Sequence, residues 1–279
     1  YLFKTFTQMK ILLNKTSLTK SLRHFSDIGF VPTMGSIHKG HLSLINESNR
    51  VCNKTVVSIF VNPKQFNNKQ DFVTYPKDIK KDLRLLTKTK KVDFVYIPKV
   101  KEIFKNNKSP KIKLIKIDKI LCAKYRKGHF EGVLDVMNRL TNIIKPNKIF
   151  MGNKDFQQLL LVKKYLEKKF NTDVIGCKTI RNKDKVALSS RNYLLSKDNL
   201  VLASKIVKKL IILKKNIKSK KNKNKYLLTV KKDLQKQFKI KIDYLELRDI
   251  SNLKLSNSID RSRLFISYYL SGTRLIDNL

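Results

Sequence analysis

The sequence predicts an α/β fold, a parallel sheet with helices on both faces, followed by a smaller α+β unit. Three observations carry this reading. Apolar, β-branched strands alternate with amphipathic helical stretches through the first 177 residues. Polar and glycine-bearing clusters fall directly after predicted strands, where open α/β sheets bind ligands. Beyond residue 178 the alternation stops, and two long helical stretches precede two strands. The boundary is therefore placed near Cys177-Lys178, giving domains 1–177 and 178–279.

The elements follow in order. Residues 28–31 read as a short apolar strand, and 42–45 as the first turns of a helix. Residues 55–61 form a β-branched strand. Helical spacing covers 78–86, and 94–97 is a further short strand. Residues 133–144 read as a helix that Pro146 stops. A strand at 148–151, an amphipathic helix at 156–170 and a strand at 173–175 complete the first domain. In the second, 197–213 and 226–238 are helical, and the lysine-rich 214–225 between them reads as a loop or frayed helix. Residues 242–247 and 263–269 alternate as strands.

Composition bounds the function. The chain has 279 residues with a 41% hydrophobic fraction, enough for a substantial core and against wholesale disorder. No apolar run approaches the ~20 residues of a membrane span. Tyr1-Leu-Phe-Lys4 shows no signal-peptide pattern. The three cysteines, Cys52, Cys122 and Cys177, are widely spaced and form no CxxC, so they read as small buried residues of a cytoplasmic protein. The net charge of +41 brings nucleic-acid binding into consideration. Against it, lysines are spread along the whole chain, abundant Lys, Asn and Ile point to an AT-rich coding bias, and no aromatics interleave the 218–225 cluster. The reading is no specific nucleic acid, with general attraction for anions.

The chemistry sits in six stretches. Residues 31–42, VPTMGSIHKGHL, place a glycine turn between strand and helix, with His38 and His41 three apart. Backbone N–H groups at a helix start attract phosphates, and the imidazoles can stabilise charge developing there. Residues 58–66, SIFVNPKQF, end a strand in Asn62 and Gln65, whose amides suit a hydroxylated neutral partner. Asp82 is a candidate Mg²⁺ ligand, though a carboxylate in an exposed first helical turn is the commoner reading. Residues 125–133, YRKGHFEGV, set Arg126 and His129 beside two glycines, and Arg126 can clasp a phosphate or carboxylate. Residues 152–158, GNKDFQQ, offer close backbone approach at Gly152, a point charge at Lys154 and a helix N-cap at Asp155. Of Gln157 and Gln158, only one can face a cleft. Residues 180–193 place Ser189, Ser190, Arg191 and Asn192 in a donor-rich loop suited to a polyphosphate.

In this order and spacing the stretches resemble the pantoate–β-alanine ligase (pantothenate synthetase) family. The matching patterns are 32–42, 58–66, Tyr75-Pro76, 126–133, 152–158 and 188–192, with 243–249 matching more loosely. The resemblance implies a Rossmann-like sheet of the HxGH nucleotidyltransferase type, with a small C-terminal domain closing over ATP. It implies condensation of pantoate with β-alanine through a pantoyl adenylate, releasing pyrophosphate and then AMP. The implied ATP site comprises Met34, Gly35, Ser36, Ile37, His38, Lys39, Gly40, His41, Gly152, Asn153, Lys154, Asp155, Ile180, Leu188, Ser189, Ser190 and Arg191. Of these, His41, His38, Lys154, Ser189, Ser190 and Arg191 carry catalysis. His41 is read as a phosphate-stabilising donor in preference to an acid. Gln65, Gln158 and Asn62 are implied around pantoate, with Gln65 also near β-alanine. Mg²⁺ and a homodimer are expected as well. The chain departs from the family at Asn153, usually Glu, and at Lys185-Val186, usually Gly-Leu. If the backbone at residue 185 has positive φ, Lys costs ~1 kcal/mol there. Two other readings are weighed: an aminoacyl-tRNA synthetase-like adenylating enzyme, and a basic nucleic-acid-binding protein.

Overall fold

A computed structural model describes residues 8–105 and 112–279. The leader reading of residues 1–4 therefore lies outside the described residues. The chain divides into two compact units. The first runs to Asn153 and resumes over Gln158–Lys178, and the second comprises Lys154–Gln157 and Thr179–Leu279.

The first unit is built on six strands: β1 (Lys10–Leu12), β2 (Ile28–Thr33), β3 (Lys54–Ile59), β4 (Phe94–Tyr96), β5 (Lys148–Gly152) and β6 (Asp173–Cys177). They lie in the order β1-β4-β3-β2-β5-β6, and every pairing is parallel. Helices α1 (Lys15–Leu22), α2 (Lys39–Val51), α3 (Lys69–Val73), α4 (Ile79–Thr89), α5 (Val100–Phe104), α6 (Leu121–Tyr125), α7 (His129–Ile144) and α8 (Phe156–Phe170) connect them. The central strands are buried along almost their whole length, as a parallel sheet covered on both faces requires. Val31, Val57, Val95 and Phe150 pack with Ile45 of α2 and Leu86 of α4 into one core. All three cysteines are buried thiols, and burial pushes Cys177 up to about 11, which keeps it protonated and inert.

The sheet order places β2 between β3 and β5. The chain thus winds outward to one side through β3 and β4 and to the other through β5 and β6. The reversal falls between β2 and β5, which pair directly at Gly29–Lys148 and Phe30–Ile149. Segments leaving the carboxyl ends of these two strands flank the crevice where such sheets bind ligands.

The second unit holds α9 (Lys197–Asn216), α10 (Lys223–Phe238), β7 (Ile242–Asp249), β8 (Ser262–Leu270) and β9 (Thr273–Asn278). Its strands form an antiparallel sheet in chain order. Ile206 and Leu210 of α9, Leu227 of α10 and Leu247, Leu264 and Ile266 of the sheet make its core.

Several elements differ from the pattern reading. The lysine-rich stretch is mostly helical: α9 continues to Asn216, a 3-10 turn covers Ile217–Ser219, and α10 begins at Lys223. Its lysines are good helix formers, and buried Leu213, Ile217 and Leu227 keep an apolar stripe running through it. β1 is too short to show a period, and β9, Thr-Arg-Leu-Ile-Asp-Asn, is masked by polar residues on both faces. α7 begins at His129, so the glycine turn before it is a helix start.

Candidate active site

In the first unit, the turn between β2 and α2 is wired through its backbone. Gly35 and Ser36 both have positive φ, 79° and 53°. This conformation suits glycine at 35, where an added Cβ would also press on the Asp82 carboxylate. The N–H groups of Ser36 and Ile37 converge from this turn, a concavity that holds an anion. The occupant is internal. Asp82 Oδ2 accepts the N–H of Ser36 at 2.8 Å, and Oδ1 accepts that of Ile37 at 2.7 Å. Thr33 Oγ1 accepts the N–H of Gly35 and donates to the Ser58 carbonyl.

One expectation is corrected here. Asp82 lies in the first turn of α4 but is 2% exposed, and both its oxygens are occupied by backbone donors. Burial raises its carboxyl above the ordinary range, while the N–H bonds from Ile37 and Ser36 oppose the rise. It is the anchor of the turn and does not fit a Mg²⁺ ligand. Among the described residues no group of three or more His, Cys, Asp or Glu is placed to hold a metal ion. Ile37, expected in the ATP site, turns its side chain into the core at 2% exposure.

His38 and His41 sit at the end of this wiring. His38 is the N-cap of α2, its Nδ1 accepting the N–H of Gly40 at 3.1 Å. The backbone N–H of His38 donates in turn to His41 Nδ1 at 3.4 Å, closing a reciprocal capping box. The rings lie 4.1 Å apart at 31°. A nitrogen that accepts an N–H carries no proton, so each neutral imidazole bears its proton on Nε2. The helix start thus spends backbone donors on its own side chains and on Asp82.

Asn62 and Gln65 occupy the 3-10 turn that follows β3. Asn62 is 1% exposed; its Nδ2 donates to the Gly132 carbonyl at 2.9 Å and to Gln65 Oε1 at 3.2 Å. Gln65 Nε2 faces the sulfur of Met34, which ties this turn to the histidine turn. The Gln65 carbonyl accepts His129 Nδ1 at 2.6 Å, so His129 carries its proton there, and its Nε2 accepts from Arg126 at 2.8 Å. Gly132 has no alternative at this contact, because a Cβ would lie 2.3 Å from the Lys64 carbonyl. His129 and Gly132 therefore brace the Gln65 turn against α7. The sequence offered a signal for this, a GH-x-x-G pattern at a helix start, without revealing its partner.

Gly152 ends β5 with open space at its Cβ, and Asn153 follows. On α8, Gln157 is buried and Gln158 is half-buried, so Gln158 is the more accessible of the two.

In the second unit, Lys154 Nζ lies 3.1 Å from Asp155, and the Lys154 carbonyl accepts Asn278 Nδ2 at 2.9 Å. The loop after β6 is a small hairpin. Leu188 N–H donates to the Ile180 carbonyl at 2.9 Å, and Arg181 bridges Ala187. Asn182 Oδ1 accepts the N–H groups of Asp184 and Val186 within its tip. Lys185 has φ 69°, the left-handed conformation that makes a lysine costly. Val186 is buried in the core. Ser189 caps the 3-10 turn Ser190–Leu194, its Oγ accepting the N–H of Arg191 at 3.3 Å, and Ser190 is buried.

The sheet order, the reversal beside β2 and the histidine pair capping α2 define an α/β protein of the HxGH type. Comparison with known proteins narrows this. The Pantoate-beta-alanine ligase family matches residues 2–279. Pantothenate synthetase of Clostridium botulinum is 41% identical over 254 residues, covering 90% of each chain. That of Flavobacterium psychrophilum is 37% identical over 270 residues, 95% of each. Among solved structures, a pantothenate synthetase from Thermus thermophilus superposes with a TM-score of 0.87 at 29% identity, covering 97% of this chain and 99% of that one. Pantoate-beta-alanine ligase from Francisella tularensis, complexed with beta-gamma ATP and beta-alanine, gives 0.83 at 34% identity and 97% of each. The chain belongs to the pantoate–β-alanine ligase family and is a ligase. The aminoacyl-tRNA synthetase-like alternative is thereby set aside.

Proposed function

We propose that this protein joins pantoate to β-alanine through a pantoyl adenylate. A pantoate carboxylate oxygen attacks the α-phosphorus of ATP, and the bond to the β-phosphate oxygen breaks to release pyrophosphate. The neutral amine of β-alanine then attacks the acyl carbon. AMP leaves with the carbon–oxygen bond pair, and the amine proton passes to solvent. The obstacle in the first step is the approach of a carboxylate to a polyanion. Fixed donors aimed at the phosphoryl oxygens lower that barrier most.

The observation that carries this reading is the reciprocal capping of the histidine pair. With Nδ1 of both rings accepting backbone N–H groups, both Nε2–H bonds are donors without any proton having to move. His41 and His38 stabilise charge on the phosphoryl oxygens, with Met34, Gly35, Ser36, Lys39 and Gly40 shaping the surrounding turn. Lys154, Ser190 and Arg191 supply further donors toward the phosphates. Ser189 does so through its hydroxyl proton, its oxygen serving as the cap. Gln158 and the braced Gln65 bind pantoate hydroxyls, Gln65 also serves β-alanine, and Asn62 holds Gln65 in place. Magnesium enters as part of the nucleotide substrate, and no step is assigned to a resident ion. The active form is a homodimer in the cytoplasm. Among the described residues, no helix is long and apolar enough to cross a membrane.

The test follows the two half-reactions. Purified protein is incubated with ATP, Mg²⁺ and pantoate, and β-alanine is added later. Pyrophosphate release that requires pantoate, followed by AMP and pantothenate only with β-alanine, is the expected result. AMP release independent of pantoate, or no release from folded protein that binds ATP, overturns it.

A further inference from the structure

Strand β9 carries two buried polar residues that the reaction described above does not use. Asp277 is 4% exposed and Asn278 5%. Arg181 clasps Asp277 with both guanidinium arms, at 2.7 and 2.8 Å, a bidentate pair of the strong kind. The same guanidinium donates to the Asn278 carbonyl at 3.1 Å and to the Lys185 carbonyl at 2.9 Å. It therefore ties the hairpin from Arg181 to Ala187, which leads into Leu188–Arg191, onto β9. The Asn278 side chain works in the other direction. Its Nδ2 donates to the Lys154 carbonyl at 2.9 Å, and its Oδ1 accepts Arg263 Nη1 at 2.8 Å. The Arg263 guanidinium lies 4.4 Å over the Phe156 ring, two residues beyond Lys154. The Asn278 N–H donates to Asp277 Oδ1 at 2.7 Å, so the two residues are coupled.

We propose that Asp277 and Asn278 are positioning residues for adenylate formation, holding the Lys154 turn and the Arg181–Arg191 loop in one frame. The proposal rests on the reading that Lys154 and Ser189–Arg191 meet the phosphates of ATP. These two segments are 27 residues or more apart in sequence, and both bear on one dipeptide of β9. A lysine ammonium on a four-carbon stem is loosely directed. Fixing its carbonyl and the ring two residues on narrows where that charge can lie. Pyrophosphate departs only in the first half-reaction. A residue that acts through these segments therefore affects that step and spares the second.

Asn278→Asp keeps the acceptor for Arg263 and removes the donor to Lys154, and Asp277→Asn breaks the fork to Arg181. Two rates are compared for each variant: pantoate-dependent pyrophosphate release, and β-alanine-dependent consumption of separately prepared pantoyl adenylate. The expected result is about a tenfold loss or more in the first, with the second near the parent rate. Joining Asn278→Asp to Lys154→Ala should add little to the loss from Lys154→Ala alone. Equal losses in both half-reactions, or no loss in either, overturn the proposal. Lys154→Ala by itself is the control for the underlying reading. If it leaves pyrophosphate release unchanged, the assignment of Lys154 fails. If it abolishes release while Asn278→Asp does not reduce it, the positioning proposal fails alone. Should Asn278→Asp not fold, Asn278→Ala removes the same donor without adding a charge and is read by the same criteria.

Discussion

The Asp82 carboxylate and the Ile37 amide meet at 2.7 Å across 45 residues of chain. That contact, with its twin to Ser36, fixes the turn on which both motif histidines depend. A carboxylate inside a turn expected to bind phosphate is at first sight misplaced. It satisfies donors that would otherwise be left without partners in a buried site, and it shapes the backbone from which His38 caps α2.

Replacing Asp82 by Asn leaves one oxygen to accept one of the two N–H groups and sets an amide NH₂ against the other. Stability should fall by about 1–3 kcal/mol near pH 3.8 and by less at neutral pH, and pyrophosphate release should fall with it. The pH dependence has a definite sign. Burial raises the Asp82 carboxyl above 3.8. The native state then keeps this proton over a range in which the unfolded chain has lost it. Stability owed to this group is fully present below 3.8 and is lost as pH rises through the native value. Urea unfolding of parent and variant from just below 3.8 upward should show their difference narrowing with pH. A difference that widens over that range would contradict the assignment.

His41→Ala should reduce pantoate-dependent pyrophosphate release by about a hundredfold or more, the scale of losing a donor to a developing oxyanion. Pantoate affinity, measured by calorimetry, should move far less. Unchanged turnover would remove His41 from the mechanism.

Gln158 is half-buried in its helix turn while Gln157 is buried. Gln158→Ala should weaken pantoate binding about tenfold and leave ATP affinity as it was. A change confined to ATP would place the pantoate pocket elsewhere.

Lys185 stands at φ 69°. Lys185→Gly should therefore stabilise the protein by up to ~1 kcal/mol, after the extra freedom glycine gives the unfolded chain is deducted. Thermal melts of the two proteins check this. A clear loss of stability would show that the lysine side chain has acquired a contact of its own.

The sequence by itself determined the repeating unit and its punctuation. β-Branched runs at 55–59 and apolar runs at 28–31 and 148–151 became the central strands, because a parallel sheet covered on both faces needs residues that are apolar throughout. The motif order was enough to point to the family. It also carried the turn chemistry, in glycine at 35 and the histidine spacing, since dihedral preference and caps act over three or four residues. The tertiary structure decided everything that depends on a distant partner. It placed Asp82 under the histidine turn, His129 against the Gln65 carbonyl and Asn278 against the Lys154 carbonyl. It closed the histidine pair into a capping box and carried α9 to Asn216 and α10 from Lys223 within the lysine-rich stretch. A carboxylate or amide looks the same in sequence whether it faces water or a buried N–H. Only the winding of the chain brings that N–H to it, and burial then makes the pairing obligatory.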